Sequence, residues 1–454
     1  MKNKAKFIFA CQQCGQQYSK WVGRCTDCGE WNSVVEERDS SAPAGSKSSG
    51  STSQTSPEPI SQILASDYPR YVSDLPELDN VLGGGLVPGS VVLLGGEPGV
   101  GKSTLLLQAA DQFGRLGKTI LYVSGEESGS QVALRASRLG VSTDRILFVS
   151  ETSLESILGH IEKTNPQILI LDSVQTVHSQ EMESQPGSVG QLRECSNAII
   201  ATCKGRNMAA FLVGHVTKEG AIAGPKVLEH MVDVVLYFEG TSSQNFRVLR
   251  SNKNRFGSTH EIGVFEMGSQ GMRQVANPSE LFLSERPQTI PGSVIVASVE
   301  GTRPILVEVQ ALVSHSALAM PRRTALGVDQ NRLCLLVAIL EKRGGYRLYD
   351  QDVYLNIAGG IRINETATDL GVVAALISSE TGKAINPKTV FFGEVGLGGE
   401  VRSVPKAAIR LKEAQRIGLK QAYVPMKIQK EVAKEFPQMD IIGIDHIRQL
   451  NQHL

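Results

Sequence analysis

Residues 96–104 read Gly96-Glu97-Pro98-Gly99-Val100-Gly101-Lys102-Ser103-Thr104, and this stretch decides the fold of the chain. An apolar run at Ser90–Leu94 precedes it, and a run typical of a helix, Leu105–Ala110, follows it. A buried strand, a glycine loop and a helix in that order bind phosphate, because backbone N–H groups surround the phosphate oxygens. The lysine reaches the outer phosphates and the Ser103 hydroxyl binds magnesium. The sequence therefore predicts a site for a nucleoside triphosphate with Mg²⁺.

Acidic residues at the ends of two further predicted strands are candidates for the same site. The run Lys118–Ser124 is followed by Glu126 and Glu127, and the run Ile168–Asp172 ends in an acid. Asp172 is expected to support magnesium directly or through water. A carboxylate at the end of the strand beside the phosphate loop is placed to act as general base for water. The sequence leaves open which of Glu126 and Glu127 has that role, or whether both are acids at a helix N-terminus.

Polar residues also follow two later strands. The strand Ala209–Gly214 leads to His215, which either senses the terminal phosphate or is structural. The strand Phe246–Arg250 leads to Lys253 and Arg255. These cations come too late in the sheet to reach their own phosphates easily, so they suit insertion into the site of a neighbouring subunit. A solvated basic turn is the alternative.

The N-terminal segment, residues 1–36, carries a metal-binding pattern. Two CxxCG pairs, Cys11 with Cys14 and Cys25 with Cys28, predict a tetrahedral zinc site of four thiolates. Two disulfides are the alternative, although nothing else in the sequence indicates export. Residues 37–60 are rich in Ser, Gly, Pro and Thr and cannot bury a core, so we expect a flexible linker there.

Length and charge set further bounds. A chain of 454 residues is too long for one ordinary core, which favours two or three domains. Lys plus Arg total 46 and Asp plus Glu total 46, so the formal net charge is zero. A chain without net positive charge does not attract nucleic acid or an anionic membrane as a whole, and any binding of a polyanion must depend on a local group of cations. Apolar runs are far shorter than a membrane span and the start of the chain has no apolar signal region. We expect a cytoplasmic protein with no membrane association.

At this point the residues resemble a known family. The phosphate loop, the strand Ile168–Asp172, His215 and the pentapeptide Lys253-Asn-Arg-Phe-Gly257, behind a four-cysteine knuckle, resemble the bacterial RadA (Sms) family of DNA repair proteins. The resemblance covers essentially the whole chain. It implies a RecA-type ATPase domain, residues 61–285, in a homo-hexameric ring with ATP at the subunit interfaces. It also places Glu126 at the catalytic carboxylate position of RecA-type sheets.

The same resemblance implies a function. It implies ATP-driven unwinding and branch migration of branched DNA at recombination intermediates, with single-stranded DNA in the ring channel and the RecA recombinase as partner. Two loops, Gln175–Gly190 and Val216–Lys226, would line the channel, with Lys218 and Lys226 contacting phosphates.

Residues 286–454 resemble the α+β proteolytic domain of Lon proteases. The alternating segments Ser293–Gly301 and Ile305–Val313 predict a hairpin. Lon uses a serine nucleophile and a lysine base, and alignment places Ala367 and Ala408 at those positions. Without a hydroxyl and an amine that chemistry cannot run, so we expect a noncatalytic scaffold. A basic set is either a duplex-DNA contact or a solvated helix end: Arg322, Arg323, Lys342, Arg343 and Arg347.

The sequence thus predicts an α/β protein with a zinc ribbon, a RecA-like P-loop ATPase core and a Lon-like domain. Its expected function is that of a DNA-dependent ATPase in DNA repair and homologous recombination. Two other classes remain. An ATP-dependent protease is disfavoured by the two alanines, and a RecA-like regulatory ATPase without motor activity is suggested by Leu82–Leu86, a glycine run that also occurs in clock ATPases.

Overall fold

The computed structural model describes residues 7–11, 14, 16–31, 33–38, 69–182, 184–215, 225–240, 246–259, 261–284, 286, 289–318 and 320–453. The chain forms two compact units. The first comprises the described residues up to Glu239 with Leu249–Thr259 and Gly268–Met272, and the second comprises Gly240–Val248, His260–Met267 and Arg273–Leu454. Most of the predicted linker, most of the loop Val216–Lys226 and Lys218 lie outside the described residues.

The N-terminal ribbon is a small antiparallel sheet. Its strands are β1 (Phe7–Cys11), β2 (Gln17–Tyr18) and β3 (Val34–Arg38), in the order β2-β1-β3. Its buried apolar residues, among those described, are Cys11, Cys25 and Val34, and Phe9, Tyr18 and Val22 pack against them. So few apolar side chains make a small core, as expected for a segment that a metal ion stabilises.

In the first unit, helices alternate with parallel strands. The elements are α1 (Pro76–Leu82), β4 (Val91–Gly96), α2 (Lys102–Arg115), β5 (Ile120–Ser124), α3 (Gly129–Arg138), β6 (Ile146–Ser150), α4 (Leu154–Thr164), β7 (Ile168–Asp172), α5 (Val189–Arg206), β8 (Ala209–His215), α6 (Pro225–Met231) and β9 (Val234–Glu239). Strands β4, β5 and β7 are buried along their whole length, as parallel strands covered on both faces are. Three further strands follow along the chain, and their residues are divided between the two units: β10 (Phe246–Asn254), β11 (Ile262–Gly268) and β12 (Gly271–Gln274). The sheet order is β12-β11-β10-β9-β4-β8-β7-β5-β6.

This order corrects one expectation from the sequence. We expected the strand before Glu126 to lie beside the strand of the phosphate loop, and that is wrong, because β8 and β7 lie between β4 and β5. Parallel strands are joined by crossover connections that contain a helix, so strands that follow one another in sequence need not be neighbours in the sheet. Glu126 is therefore separated from the strand of the phosphate loop by two strands, and its hydrogen bonds go to Ser173 after β7 and to His215 at the end of β8.

The parallel register brings the functional strand ends to one edge. Gly96, at the end of β4, pairs with His215 at the end of β8, and Ser124, at the end of β5, pairs with Asp172 at the end of β7. Ligands of open parallel sheets bind at the carboxyl ends of the strands. The register alone therefore places the phosphate loop, His215 and Asp172 along one edge.

The second unit is built on a mixed sheet. Its elements are α7 (Pro278–Leu283), β13 (Ser293–Glu300), β14 (Arg303–His315), β15 (Arg323–Leu326), α8 (Gln330–Ile339), β16 (Gln351–Ile357), α9 (Asp369–Thr381), β17 (Thr389–Phe391), β18 (Glu394–Val395), β19 (Val401–Arg402), α10 (Ala407–Arg416), β20 (Gln421–Pro425), α11 (Met426–Glu435), β21 (Asp440–Ile444) and α12 (Leu450–His453). The main sheet has the order β15-β16-β14-β13-β17-β20-β21. Strands β13 and β14 are antiparallel neighbours, which confirms the predicted hairpin. None of the helices described in either unit is long and apolar enough to cross a membrane.

Candidate nucleotide-binding site

The phosphate loop connects β4 to α2 as predicted. Gly101 caps α2 with a φ of 111°, and Gly99 has a φ of 77°. Backbone at these positive φ values is strained for residues with a Cβ atom, so glycine is required at both. Ser103 is partly exposed at the first turn of α2, whereas Thr104 is buried. The helix N-terminus and the loop N–H groups form the cradle that phosphate requires.

Lys102 is held ready beneath this loop. Its side chain is buried, and its ammonium donates to Gly96 O at 2.8 Å and to Glu97 O at 3.0 Å. Burial lowers the pKa of Lys102 to about 8, although the carboxylates of Asp172 and Glu126 oppose that shift. The two carbonyls hold the ammonium where it can be transferred to an incoming phosphate oxygen.

His215 joins Lys102 to Glu126. Its Nδ1 lies 3.4 Å from Lys102 Nζ and its Nε2 lies 3.0 Å from Glu126 Oε1. An ammonium only donates, so Nδ1 accepts and Nε2 carries the proton that is donated to the carboxylate. The structure thus supports one tautomer of the ring and gives His215 a defined place between the two groups.

The two adjacent acids differ in their partners. Glu126 accepts from His215 and from Ser173 Oγ. The His215 hydrogen bond is the main reason that the pKa of Glu126 is lowered to about 2, with burial opposing the shift. Glu127 instead accepts two hydrogen bonds from Arg135, one of 2.7 Å from Nη1. Glu126 therefore belongs to the Lys102–His215 network, whereas Glu127 is neutralised by a cation on α3.

Asp172 is oriented from the neighbouring strand. The phenol of Tyr122, on β5, donates to Asp172 Oδ2 at 2.9 Å, and both residues are buried. Burial, followed by the charge of Asp172, raises the pKa of Tyr122 well above its ordinary value, so the phenol stays a donor. Among the described residues Oδ1 accepts no hydrogen bond, which leaves it for magnesium or a magnesium-bound water. With the Ser103 hydroxyl, this donor set fits a hard cation.

Lys253 and Arg255 lie at the other edge of the sheet. Arg255 Nη1 donates to Asp233 Oδ1 at 3.1 Å, and Asp233 Oδ2 accepts from the backbone N–H of Val91 at 3.1 Å. Val91 begins the six-residue strand β4 that Gly96 ends. At about 3.3 Å per residue, that separates Asp233 from the phosphate loop of its own chain by roughly 17 Å. The predicted trans-acting cations are therefore anchored away from their own nucleotide site.

A close contact of two glycines fixes the turn after β10. A Cβ atom on Gly257 would lie 2.8 Å from Gly83 Cα, and Gly83 itself has a φ of 83°. Asn254 Nδ2 donates to Val81 O at 3.2 Å, and Arg70 Nη2 donates to Phe256 O at 2.8 Å. The turn Lys253–Gly257 therefore packs directly against the glycines that follow α1.

The four cysteines of the ribbon converge. The Sγ atoms of Cys11, Cys14, Cys25 and Cys28 all lie within 4.8 Å of one another, and no disulfide joins these four residues. Thiolates at about 2.3 Å from a tetrahedral zinc ion lie about 3.8 Å apart. The Cys14–Cys25 separation of 3.4 Å and the Cys11–Cys28 separation of 3.6 Å fit that geometry.

The two alanines of the second unit lie in an apolar environment. Ala367 is buried, and Ala408 packs against the same hydrophobic cluster. Nearby, Arg410 is fully buried and pairs with Glu365. In the predicted basic set, the Arg323 guanidinium donates to the carbonyls of Gln351 and Leu348, whereas the other four residues are exposed.

Sequence reasoning missed several residues that support the site. They are Tyr122, Arg135, Ser173, Asp233 and Asn254. Tyr122 stands inside an apolar run, and that run predicts only a buried strand. A phenol in a buried strand needs a hydrogen-bond partner, and that requirement could have indicated a polar group on the adjacent strand. The partners of the others depend on sheet order, which the sequence does not show.

The fold and the site together define a RecA-like P-loop ATPase core with an N-terminal four-cysteine zinc ribbon and a C-terminal α/β region. The family model described as AAA domain matches residues 57–221, and the one described as rubredoxin metal binding domain matches residues 9–36.

Curated relatives match along nearly the whole chain. DNA repair protein RadA of Bacillus subtilis is 51% identical over 93% of this chain and 93% of its own length. The RadA proteins of Pseudomonas aeruginosa and Escherichia coli are 48% and 44% identical, each over 98% of this chain and over 98% and 97% of their own lengths. The chain belongs to the RadA family of DNA repair proteins.

Proposed function

We propose that this protein is a DNA-stimulated ATPase that drives unwinding and branch migration of recombination intermediates as a ring, in partnership with the RecA recombinase. The observation that carries this proposal is the division of the site between two edges of one sheet. The phosphate loop and Glu126 lie at the carboxyl edge, whereas Lys253 and Arg255 are anchored at the amino edge. Such a site is complete only when one subunit supplies cations to the next.

Within one subunit, Lys102 and the loop N–H groups bind the phosphates of ATP. Ser103 and Asp172 hold Mg²⁺, which supplies charge neutralisation on the phosphates when it is bound. Tyr122 keeps the Asp172 carboxylate in position. Because Lys102 donates to carbonyls that cannot be ionised, it can exchange them for phosphate oxygens at little electrostatic cost.

Glu126 orients the attacking water and accepts its proton. Its low pKa keeps it ionised, and Ser173 and His215 hold one of its oxygens in place. His215 contacts both Glu126 and Lys102, so arrival of the terminal phosphate at Lys102 is communicated to the base. We infer from this link that His215 senses the terminal phosphate.

Lys253 and Arg255 act on the triphosphate of a neighbouring subunit. They stabilise charge on the transferred phosphoryl group as arginine-finger-type groups do. Arg255→Ala should leave ATP binding nearly intact and slow hydrolysis by roughly a thousandfold or more. Normal turnover by the purified variant would contradict the trans role.

Single-stranded DNA is proposed to contact the loop Gln175–Gly190 and the loop Val216–Lys226. The side-chain amide of Gln191, a buried residue of α5, donates to two carbonyls of the first loop, Ser179 O at 3.2 Å and Ser184 O at 3.0 Å. That amide gives the loop a fixed base at the start of α5. The second loop begins directly after His215, which supports coupling of DNA contacts to the nucleotide site.

The second unit is proposed to be a Lon-like scaffold without peptidase activity that helps to close the ring. The alanines at positions 367 and 408 support this, because neither offers a nucleophile or a base. Four cysteines arranged to hold a metal ion suit a reducing compartment, and we propose the cytoplasm.

Steady-state ATP hydrolysis with and without single-stranded DNA, at two salt concentrations, tests the proposal. We expect DNA to stimulate hydrolysis and added salt to weaken that stimulation, because phosphate contacts release counterions. Equal rates with and without DNA would favour a RecA-like regulatory ATPase, the second candidate. The glycine run at Leu82–Leu86 is the feature that favours that candidate.

A further inference from the structure

Asp233 connects Arg255 to the frame of the sheet. It directly precedes β9 and is 4% exposed. One carboxylate oxygen accepts from the backbone N–H of Val91 at 3.1 Å, and the other accepts from Arg255 Nη1 at 3.1 Å. The backbone N–H of Arg255 also donates to Asp233 O at 3.2 Å. The arginine is therefore bound at its side chain and at its main chain to one rigid residue.

These contacts leave about half of the Arg255 side chain exposed and most of its guanidinium N–H groups available to a ligand. Its side chain is 52% exposed, and the hydrogen bond to Asp233 occupies one of the five N–H donors of the guanidinium. A guanidinium fixed on one side and open on the other can bind a phosphate in a defined orientation. An arginine held only by solvent would have to lose its rotamer freedom on each encounter.

Lys253 is held beside it by α6. Its ammonium donates to the carbonyls of Glu229 at 2.7 Å, His230 at 3.3 Å and Val232 at 2.8 Å. These carbonyls belong to the end of α6 and the turn after it, where unpaired acceptors attract a cation. Both cations thus have fixed supports on the same edge.

We propose that Asp233 is a positioning residue for the trans-acting pair. It is fixed to the first residue of β4, and it holds the Arg255 guanidinium in the orientation in which that group enters the nucleotide site of a neighbouring subunit. The inference deepens the proposed function and rests on it. It assigns to Asp233 no contact with ATP, since the residue lies at the far end of β4 from the phosphate loop of its own chain.

Lys204 offers a matched control. Its ammonium, on the last turn of α5, lies 3.8 Å from the same Asp233 oxygen, and its side chain is 50% exposed. Lys204→Met removes one ion pair of Asp233 and leaves the Arg255 contact in place. Asp233→Asn keeps the size of the side chain and an acceptor for Val91, but it loses the charge that holds Arg255.

The experiment mixes two kinds of full-length subunit. The recipient carries Arg255→Ala, so its nucleotide site is intact but it supplies no finger. Each donor carries Lys102→Ala, so it hydrolyses no ATP but can supply Arg255 to a neighbour. Three donors are compared: the plain donor with no further change, one that also carries Asp233→Asn, and one that also carries Lys204→Met. The kcat and KM for ATP of each mixture are measured with the Tm of each donor and its assembly state.

We expect the plain donor to restore hydrolysis and the Lys204→Met donor to match it. The Asp233→Asn donor should restore about tenfold less kcat at unchanged KM, a smaller loss than complete removal of a trans-acting arginine causes. Equal restoration by the Asp233→Asn donor would overturn the inference and leave the proposed function standing. Equal losses with Asp233→Asn and Lys204→Met would also overturn it, because the effect would then come from charge balance.

Two further results keep the test decisive. If the plain donor restores nothing, the trans role itself fails and this inference fails with it. If Asp233→Asn lowers the Tm so far that the donor does not assemble, Asp233→Glu replaces it. That change keeps the charge and moves it by one methylene group, so positioning predicts a loss of kcat and simple charge compensation predicts none.

Discussion

The nucleotide site of the first unit and the alanine positions of the second unit make an instructive pair. At the nucleotide site, His215 and Glu126 are 32% and 42% exposed and contact each other, so a ligand can still reach both. In the second unit, Arg410 is fully buried and its guanidinium is used by Glu365, Ala297 O and Pro405 O. A buried arginine whose hydrogen bonds are all made within the protein supports a fold, whereas charged groups left within reach of a ligand support chemistry.

The largest expected effect separates the two regions directly. Lys102→Ala removes the cation that contacts the outer phosphates, so hydrolysis should fall below detection, by roughly a thousandfold or more. ATP hydrolysis by the purified variant is the measurement. Ala367→Gly, a change at one of the two alanine positions of the second unit, should leave the rate within about twofold, because the position supplies no chemical group.

Next in size is the contrast between the two adjacent acids. Glu126→Gln should slow hydrolysis by roughly a hundred- to a thousandfold with ATP affinity retained, because the amide cannot accept a proton from water. Glu127→Gln loses only its pair with Arg135 and should cost a few-fold. Comparison of kcat with the dissociation constant for ATP decides between them. A larger loss from Glu127→Gln would reverse the assignment of the base.

The Arg410–Glu365 pair of the second unit should affect stability and not binding. Arg410→Met leaves the partly exposed Glu365 carboxylate without its cation and should destabilise the second unit by about 1.5–3 kcal/mol. Circular dichroism during urea unfolding measures this, and the affinity for ATP should not change. Adding Glu365→Gln to that variant should recover part of the loss, because no charge then remains unpaired.

The smallest effect concerns pH. Burial lowers the pKa of Lys102 to about 8 from an ordinary value of 10.5, so between these pH values the unfolded chain binds a proton that the folded, ligand-free chain does not. The free energy of unfolding should therefore rise with pH across that window, on the order of 1–3 kcal/mol from this residue. The difference in Tm between the natural protein and Lys102→Met, followed from pH 7.5 to 10, isolates it. A difference independent of pH would show that the ammonium is not desolvated.

Much of the first unit could be predicted because local signals carry it. The phosphate loop is recognisable from glycine spacing, and the apolar run that ends in Asp172 predicts the strand observed at Ile168–Asp172. The cysteine spacing predicted a zinc ribbon, and the family model for the ribbon confirms it. In each case the residues that form the feature are close together in the sequence.

What the sequence did not show depends on sheet order and long-range contacts. The predicted position of Glu126 beside β4 is wrong, because β8 and β7 lie between β4 and β5, the strand that Glu126 follows. The link from Lys102 through His215 to Glu126 joins three strand ends whose neighbours are set by tertiary packing. Asp233 follows α6 as an ordinary acid in the sequence, and only the structure brings it to Val91 and Arg255.

The contact between Gly83 and Gly257 has a consequence for genetics. Neither residue has a side chain that could bind ATP, DNA or metal, yet a Cβ atom at either position would lie within 3.0 Å of the other backbone. Alanine at one of them would displace the turn that carries Arg255 while leaving the phosphate loop intact. A screen for loss of repair in living cells should therefore recover these two glycines together with the phosphate-loop residues.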